Sequence, residues 1–263
     1  MIPSLRQIMI FAAMGLLAGF PARSSDRPVH LDVPPPIAKD AAAMPLIADP
    51  ADDAERRINT AVKRLDANLR KAIADCEGHD GGPADWVREV EVPMRGPGYL
   101  SFVIKDTSFC GGAHPSIGTM SIVYDLRTGT PVDWTRLLPP ALTGTVALAE
   151  GEDGTKMVTL ASRRLYSLYL AGYDRAIHMP GVDIDAKDRE ETIASCKEAV
   201  RETTDPPAMM AWLDARQGGL AVQYDLAHAI QVCAAPVIIP VATLRADGAS
   251  AALLDAIEAA HKQ

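Results

Sequence analysis

The chain has 263 residues, 48% hydrophobic and 23% charged, which are the proportions of an ordinary folded protein. Its 34 Asp and Glu outnumber 26 Lys and Arg, giving a net charge of −8. That balance excludes the clustered cationic surface that nucleic-acid binding needs, and it favours a basic partner over an acidic one.

In chain order, the first residues read as a secretory signal over residues 1–24. Arg6 supplies the positive start, Ile8 to Phe20 form an uncharged apolar run, and Pro21-Ala22-Arg23-Ser24 offers small residues for cleavage. The apolar run has 13 residues, whereas a membrane span needs about 20, so no stable membrane span is expected. An uncleaved anchor helix is the alternative. Cleavage after Ser24 would remove Arg6 and Arg23 and bring the charge to −10. The expected location is periplasmic or secreted.

Residues 25–53 carry Pro28, Pro34, Pro35, Pro36, Pro45 and Pro50 and predict an extended Pro/Ala-rich tether. The folded domain is expected over residues 54–263. It begins with a helix from Ala54 to Cys76, where Ile58, Val62, Leu65, Leu69, Ala72 and Ile73 share one face. Asp52 or Asp53 can cap its start, and Gly78 can end it. Trp86 to Val92 predicts a half-exposed strand, with Trp86, Val90 and Val92 set against Arg88, Glu89 and Glu91. Tyr99–Phe109 and Ile117–Leu126 predict two strands around a Gly111-Gly112 turn, followed by a turn at Thr128-Gly129. Glu150 to Gly154 is a solvated loop. Met157 to Ala171 and Lys187 to Glu202 have helical spacing, the second with Asp185 as its cap. Met209–Leu213 and Leu220–Leu226 predict a hairpin joined at Gly218-Gly219, Val237–Leu244 a last strand, and Ala251–His261 a closing helix. Strands and helices without regular βαβ alternation predict an α+β fold: an antiparallel sheet packed with helices in a single domain.

The four cysteines, Cys76, Cys110, Cys196 and Cys233, allow three pairings. One pair falls in each half, so Cys76–Cys110 and Cys196–Cys233 are the local choice, and the domain is expected to be stapled by disulfides. The competing reading is a zinc site made from Cys76-x-x-His79 and Cys110-x-x-x-His114. An oxidising compartment favours bridges, and no metal or cofactor is expected. Asp183-Ile184-Asp185-Ala186-Lys187-Asp188 imitates the start of a calcium loop, but it lacks Gly at the sixth position and has Ala194 at the twelfth. Capping explains it more simply.

Chemistry-bearing residues are sparse. His114 could act as a general base, with Ser116 near in sequence and the glycines offering backbone N–H groups, yet no complete catalytic set is visible. A structured-loop histidine is the simpler reading. The Tyr166, Tyr169 and Tyr173 stripe reads as core, and Trp86, Trp134 and Trp212 as strand-face packing. The ligand-binding candidates are Gly111, Gly112, His114 and Pro115, because glycines let a partner approach the backbone and loops carry function.

Two blocks bear a family likeness. Phe109 to Gly129, with Gly111-Gly112-Ala113-His114-Pro115 and Tyr124-Asp125-Leu126-Arg127-Thr128-Gly129, and more weakly Gly219 to Leu244, resemble a family of exported bacterial domains of unknown function. That family occurs in the lysozyme-sensing anti-sigma-V factor and as the accessory domain of a peptidoglycan deacetylase. The resemblance implies an α+β domain that binds a protein or cell-wall ligand, possible partners being a basic envelope protein of the lysozyme type or peptidoglycan. It does not imply an anti-sigma role, since only seven residues precede the apolar run. A cell-envelope hydrolase using His114 and a structural envelope protein are the alternatives.

Overall fold

The computed structural model describes residues 26–77, 85–111, 114–179, 187–201, 203, 205–226 and 228–263. The signal segment at residues 1–24, His79, Gly112 and the Asp183–Asp185 motif lie outside these described residues. Strands β1 (Leu31–Asp32) and β2 (Leu46–Ile47) form a short pair ahead of helix α1 (Asp53–Glu77). Strands β3 (Asp85–Arg95), β4 (Tyr99–Phe109), β5 (Ser116–Asp125) and β6 (Thr130–Pro131) then make a four-stranded meander. Short helices α2 (Trp134–Leu137) and α3 (Pro140–Thr143) lead to β7 (Thr145–Glu150) and β8 (Lys156–Ala161). Helices α4 (Arg163–Ala176) and α5 (Arg189–Ala199) precede β9 (Met209–Asp214) and β10 (Gly219–Tyr224). A 3-10 turn (His228–Cys233), β11 (Val237–Pro240), α6 (Val241–Ala246) and α7 (Ala251–His261) complete the chain. The second sheet runs β11-β10-β9-β8-β7, and every strand pairing in the three sheets is antiparallel. This is the expected α+β domain, although its strands fall into three sheets.

The alternation of the β3–β5 strands gives the four-stranded sheet two buried faces. On one, Leu100, Phe102 and Ile104 are buried with Trp86, against which Leu69 of α1 packs. On the other, Ser101, Val103 and Ser121 meet the edge of β9. β9 pairs with β8 only at Leu160↔Met209, which leaves backbone groups further along its edge to be satisfied. The Ser121 hydroxyl donates to the Ala211 carbonyl at 3.2 Å, and the Leu213 N–H donates to the Ser101 hydroxyl at 3.2 Å. Two buried serines thus couple the sheets where a ladder would otherwise stop. Behind the second sheet, α4 lies so close to β11 that a Cβ on Gly172 would sit 2.3 Å from Val237 Cγ1. Tyr169 and Tyr173 are fully buried there and donate to the carbonyls of Ala235 and Cys233. Their stripe is core, as its spacing predicts.

Both disulfides pair as expected. Cys76–Cys110 ties the end of α1 to the end of β4, and Cys196–Cys233 ties α5 to the 3-10 turn. The zinc reading loses Cys76 and Cys110 to the first of these bridges.

Five expectations are corrected. Residues 28–47 are no free tether: Val29, Ala41, Met44 and Ile47 are buried, and the Arg88 N–H donates to the Asp40 carbonyl. The Met157–Ala171 helix is instead strand β8 followed by α4, because Ser162 caps a new helix by accepting from Leu165 N–H at 2.9 Å. The strand expected over Val237–Leu244 ends at Pro240, after which Val241–Ala246 coils into α6. Arg88, assigned to a polar face, shares the buried face of Trp86 and Val90. Trp134, expected on a strand, starts α2.

Candidate functional site

The β4–β5 hairpin carries the residues singled out by sequence. Gly111 adopts φ +91, is exposed, and has nothing within 4 Å of where a Cβ would be. Only glycine holds that backbone without strain. His114 and Pro115 are exposed at the same tip, and the His114 Nδ1 lies 3.4 Å from the Pro115 carbonyl oxygen. Gly112 lies outside the described residues. The Cys76–Cys110 bridge, with Cα atoms 4.9 Å apart, fixes one side of the tip to α1.

Below the tip lies a cleft of about 600 Å³, walled by the disulfide, by Asn68, Lys71 and Asp75 of α1, and by Trp86, Ser108 and Glu152. The Ser108 hydroxyl donates to the Glu152 carboxylate, and Lys71 pairs with Asp75 at 2.5 Å. Sequence reasoning missed what lies under this cleft. Arg88 is fully buried, its Nε donating to Asp106 Oδ1 at 2.7 Å and its Nη2 to Asp106 Oδ2 and Asp153 Oδ2, each at 2.8 Å. Trp86 Nε1 donates to Asp106 Oδ1 at 3.1 Å, and Asp153 Oδ1 accepts from Thr155 N–H. Burial opposes the guanidinium charge, but the two carboxylates more than offset it and hold the Arg88 pKa above its ordinary value. Asp66 of α1, 5% exposed, accepts from Met44 N–H, and its burial raises its carboxyl above the usual range.

The network joins four chain segments: the 38–42 stretch, α1, the β3–β4 pair and the 150–155 loop. One donor of this network, Arg88 Nη1, is buried without a hydrogen-bond partner among the described residues. The signal for it in the sequence was the Arg88–Asp106 pairing, which needs the hairpin register to become visible. Among the described residues, no group of three or more His, Cys, Asp and Glu is placed to hold a metal ion. No helix among them is long and apolar enough to cross a membrane.

No family model matches the chain, and no curated protein matches it either. Among solved structures, it resembles a DUF3298 family protein from Pseudomonas aeruginosa PAO1, with TM-score 0.50 and 14% identity. That likeness covers 87% of this chain and 98% of the other. The chain has the DUF3298 fold. A DUF3298 family member from Bacteroides fragilis NCTC 9343 is also similar, at TM-score 0.40 and 15% identity, over 81% of this chain and 74% of that one. The DUF3298 fold matches the α+β architecture expected from the Phe109–Gly129 block.

Proposed function

We propose that this chain is an exported, non-catalytic binding domain whose hairpin tip, Gly111 to Pro115, recognises a basic envelope protein or a peptidoglycan fragment. The observation that carries this reading is the exposed tip bridged to α1 above a carboxylate-bearing cleft. Backbone tied on one side of the tip by the Cys76–Cys110 bridge has less conformational freedom to lose on binding, which favours recognition. Asp75 and Glu152 beside it offer charge complementarity to a cationic surface. Two disulfides fit an extracytoplasmic compartment. The likeness of Phe109–Gly129 to the domain of the lysozyme-sensing anti-sigma-V factor and the peptidoglycan deacetylase accessory domain makes a lysozyme-type muramidase the first partner to try.

Isothermal titration of the chain from residue 25 onward with hen-type lysozyme and with muropeptides, at low salt and at about 0.5 M salt, tests the proposal. Exposed charges are screened within a few ångströms at high salt, so binding to lysozyme should weaken as salt rises. No binding to either probe, together with hydrolysis of an envelope substrate lost in His114→Ala, would replace this reading with a hydrolase.

A further inference from the structure

Strand β7 (Thr145–Glu150) closes one side of the five-stranded sheet, and among the described residues no strand pairs with its other edge. Its sequence, Thr-Val-Ala-Leu-Ala-Glu, carries one charge, and the Glu150 carboxylate is already paired with Lys156 of β8 at 3.1 Å. Val146 and Leu148 are 42% and 66% exposed, and the strand lies open to solvent along nearly its whole length. An exposed edge of this kind is normally blunted by Lys, Pro or a bulge, because its free N–H and C=O groups template a further strand. β7 has none of these devices.

The register fixes which groups are free. In an antiparallel pair, opposed residues alternate between those that exchange hydrogen bonds and those that point away. At the hairpin end, the Gly151 N–H donates to the Thr155 carbonyl at 2.8 Å, so Ala149 and Ala147 turn their backbone groups to Met157 and Thr159 of β8. Leu160, opposite Val146, instead reaches β9 through its pairing with Met209, which agrees with the same alternation. The backbone groups of Val146, Leu148 and Glu150 therefore point out of the sheet.

We propose that β7 pairs antiparallel with β7 of a second copy of this chain, joining the two five-stranded sheets across a two-fold axis at Leu148. The free groups recur at every second residue, so the same strand run in reverse presents the same spacing. In that register Leu148 faces the partner's Leu148, while Val146 faces the partner's Glu150 and Glu150 faces the partner's Val146. Each pair exchanges both backbone bonds. No like charges are opposed, and an apolar pair covers the axis. A foreign extended peptide is selected by pockets beside the edge that take alternate side chains. Neither the cleft under the tip nor the inter-sheet groove, a concavity of about 450 Å³ lined by Lys105, Trp212 and Gln223, takes a residue from β7. Self-pairing needs no such pocket, since the two-fold sets the register. One strand pair buries less than the roughly 1,200–2,000 Å² of a stable interface, so the dimer is weak and concentration-dependent. It uses none of the tip residues, and its outcome does not depend on muramidase or muropeptide binding.

Sedimentation equilibrium of the protein from about 5 μM to about 1 mM reads the association, and NMR amide exchange at both ends of that range locates it. A reversible monomer–dimer equilibrium with a dissociation constant on the order of 100 μM is expected. Exchange should slow with concentration at the amides of Val146, Leu148 and Glu150, while those of Ala147 and Ala149, already bonded to β8, stay unchanged. Leu148→Lys, at an exposed position, sets two ammonium groups across the axis and should weaken association at least about tenfold. Val146→Pro removes one outward N–H without touching the β8 ladder and should act in the same direction. A monomer at about 1 mM, undiminished association in Leu148→Lys, or concentration-dependent protection that spares the three outward amides would each overturn the proposal. So would a protein that stays monomeric and protects those amides only on adding the unrelated strand-forming peptide acetyl-Lys-Thr-Val-Thr-Val-Lys-amide, since the edge would then take a foreign strand. If Val146→Pro does not fold, Leu148→Lys decides.

Discussion

Replacing Arg88 by Met isolates the energetics of the buried floor. The substitution conserves much of the volume but strands Asp106 and Asp153, whose side chains are 6% and 0% exposed. Each would lose its cation without gaining water. Removing one partner of a buried ion pair costs about 3–5 kcal/mol, because an uncompensated charge remains. For a domain of this size, where each kcal/mol moves Tm by roughly 2–4 °C, the melting point should fall by roughly 6–20 °C. The triple variant Arg88→Met, Asp106→Asn, Asp153→Asn removes all three charges. Asn at 106 keeps an oxygen for the Trp86 indole N–H, which donates to Asp106 at 3.1 Å. That variant should recover to within about 2 kcal/mol of the parent, since buried ion networks are often replaceable by neutral groups. Urea unfolding followed by circular dichroism at pH 7 gives both values, with an unchanged m-value confirming the same native state. If Arg88→Met alone stays within about 1 kcal/mol of the parent, or if the triple variant is no better than the single one, the reasoning about stranded charge is wrong.

Other perturbations address separate parts of the fold. Cys76→Ala with Cys110→Ala opens a loop with a sequence separation of 34, worth about 3.8 kcal/mol by chain entropy; amide hydrogen exchange should rise more at residues 106–111 than in β9 and β10, and a uniform rise would refute the pinning role. Burial, partly offset by the Met44 N–H and by the Arg70 and Arg88 charges, raises the Asp66 pKa above 3.8. The folded state therefore holds a proton that the unfolded chain has released, and stability falls as pH rises through the window just above 3.8. Asp66→Asn should flatten that slope and raise Tm at neutral pH; superimposable pH profiles would contradict it. Gly129 has φ +71, and a Cβ there would sit 2.3 Å from the Ala54 carbonyl oxygen. Gly129→Ala should therefore cost at least about 1–3 kcal/mol by urea unfolding, and a neutral result would refute the tight approach of this turn to α1.

Elements whose signals are local were legible in the sequence. The Tyr99–Phe109 strand, the β9–β10 hairpin and the Ala251–His261 helix are set by alternation, by Gly218 in the turn (φ +65) and by Ser250 as N-cap, and each signal stands beside its element. The 157–171 stretch misled because Val158, Leu160, Ala161, Leu165, Leu168 and Tyr169 fit a 3.6-residue period. Tertiary pairing of β8 with β7 overrode that pattern, and Ser162 as N-cap was the local cue to the break. The Pro-rich 28–47 stretch looked like tether because its composition resists regular structure. Its order comes from burying Val29, Ala41, Met44 and Ile47 on the domain, a long-range effect. The tip was readable as Gly111, His114 and Pro115, whereas the ionic floor and the inter-sheet groove were not. Arg88, Asp106 and Asp153, or Lys105, Trp212 and Gln223, come together only once strand order and register exist.

The recognition surface proposed above is the disulfide-pinned tip. Amide hydrogen exchange of the chain from residue 25 onward, with and without saturating lysozyme or muropeptide, tests it directly. Slowed exchange is expected at residues 106–117 and 150–155, with β7 and α7 unchanged. Protection confined to the opposite side of the molecule, or binding that leaves residues 106–117 unprotected, would contradict it.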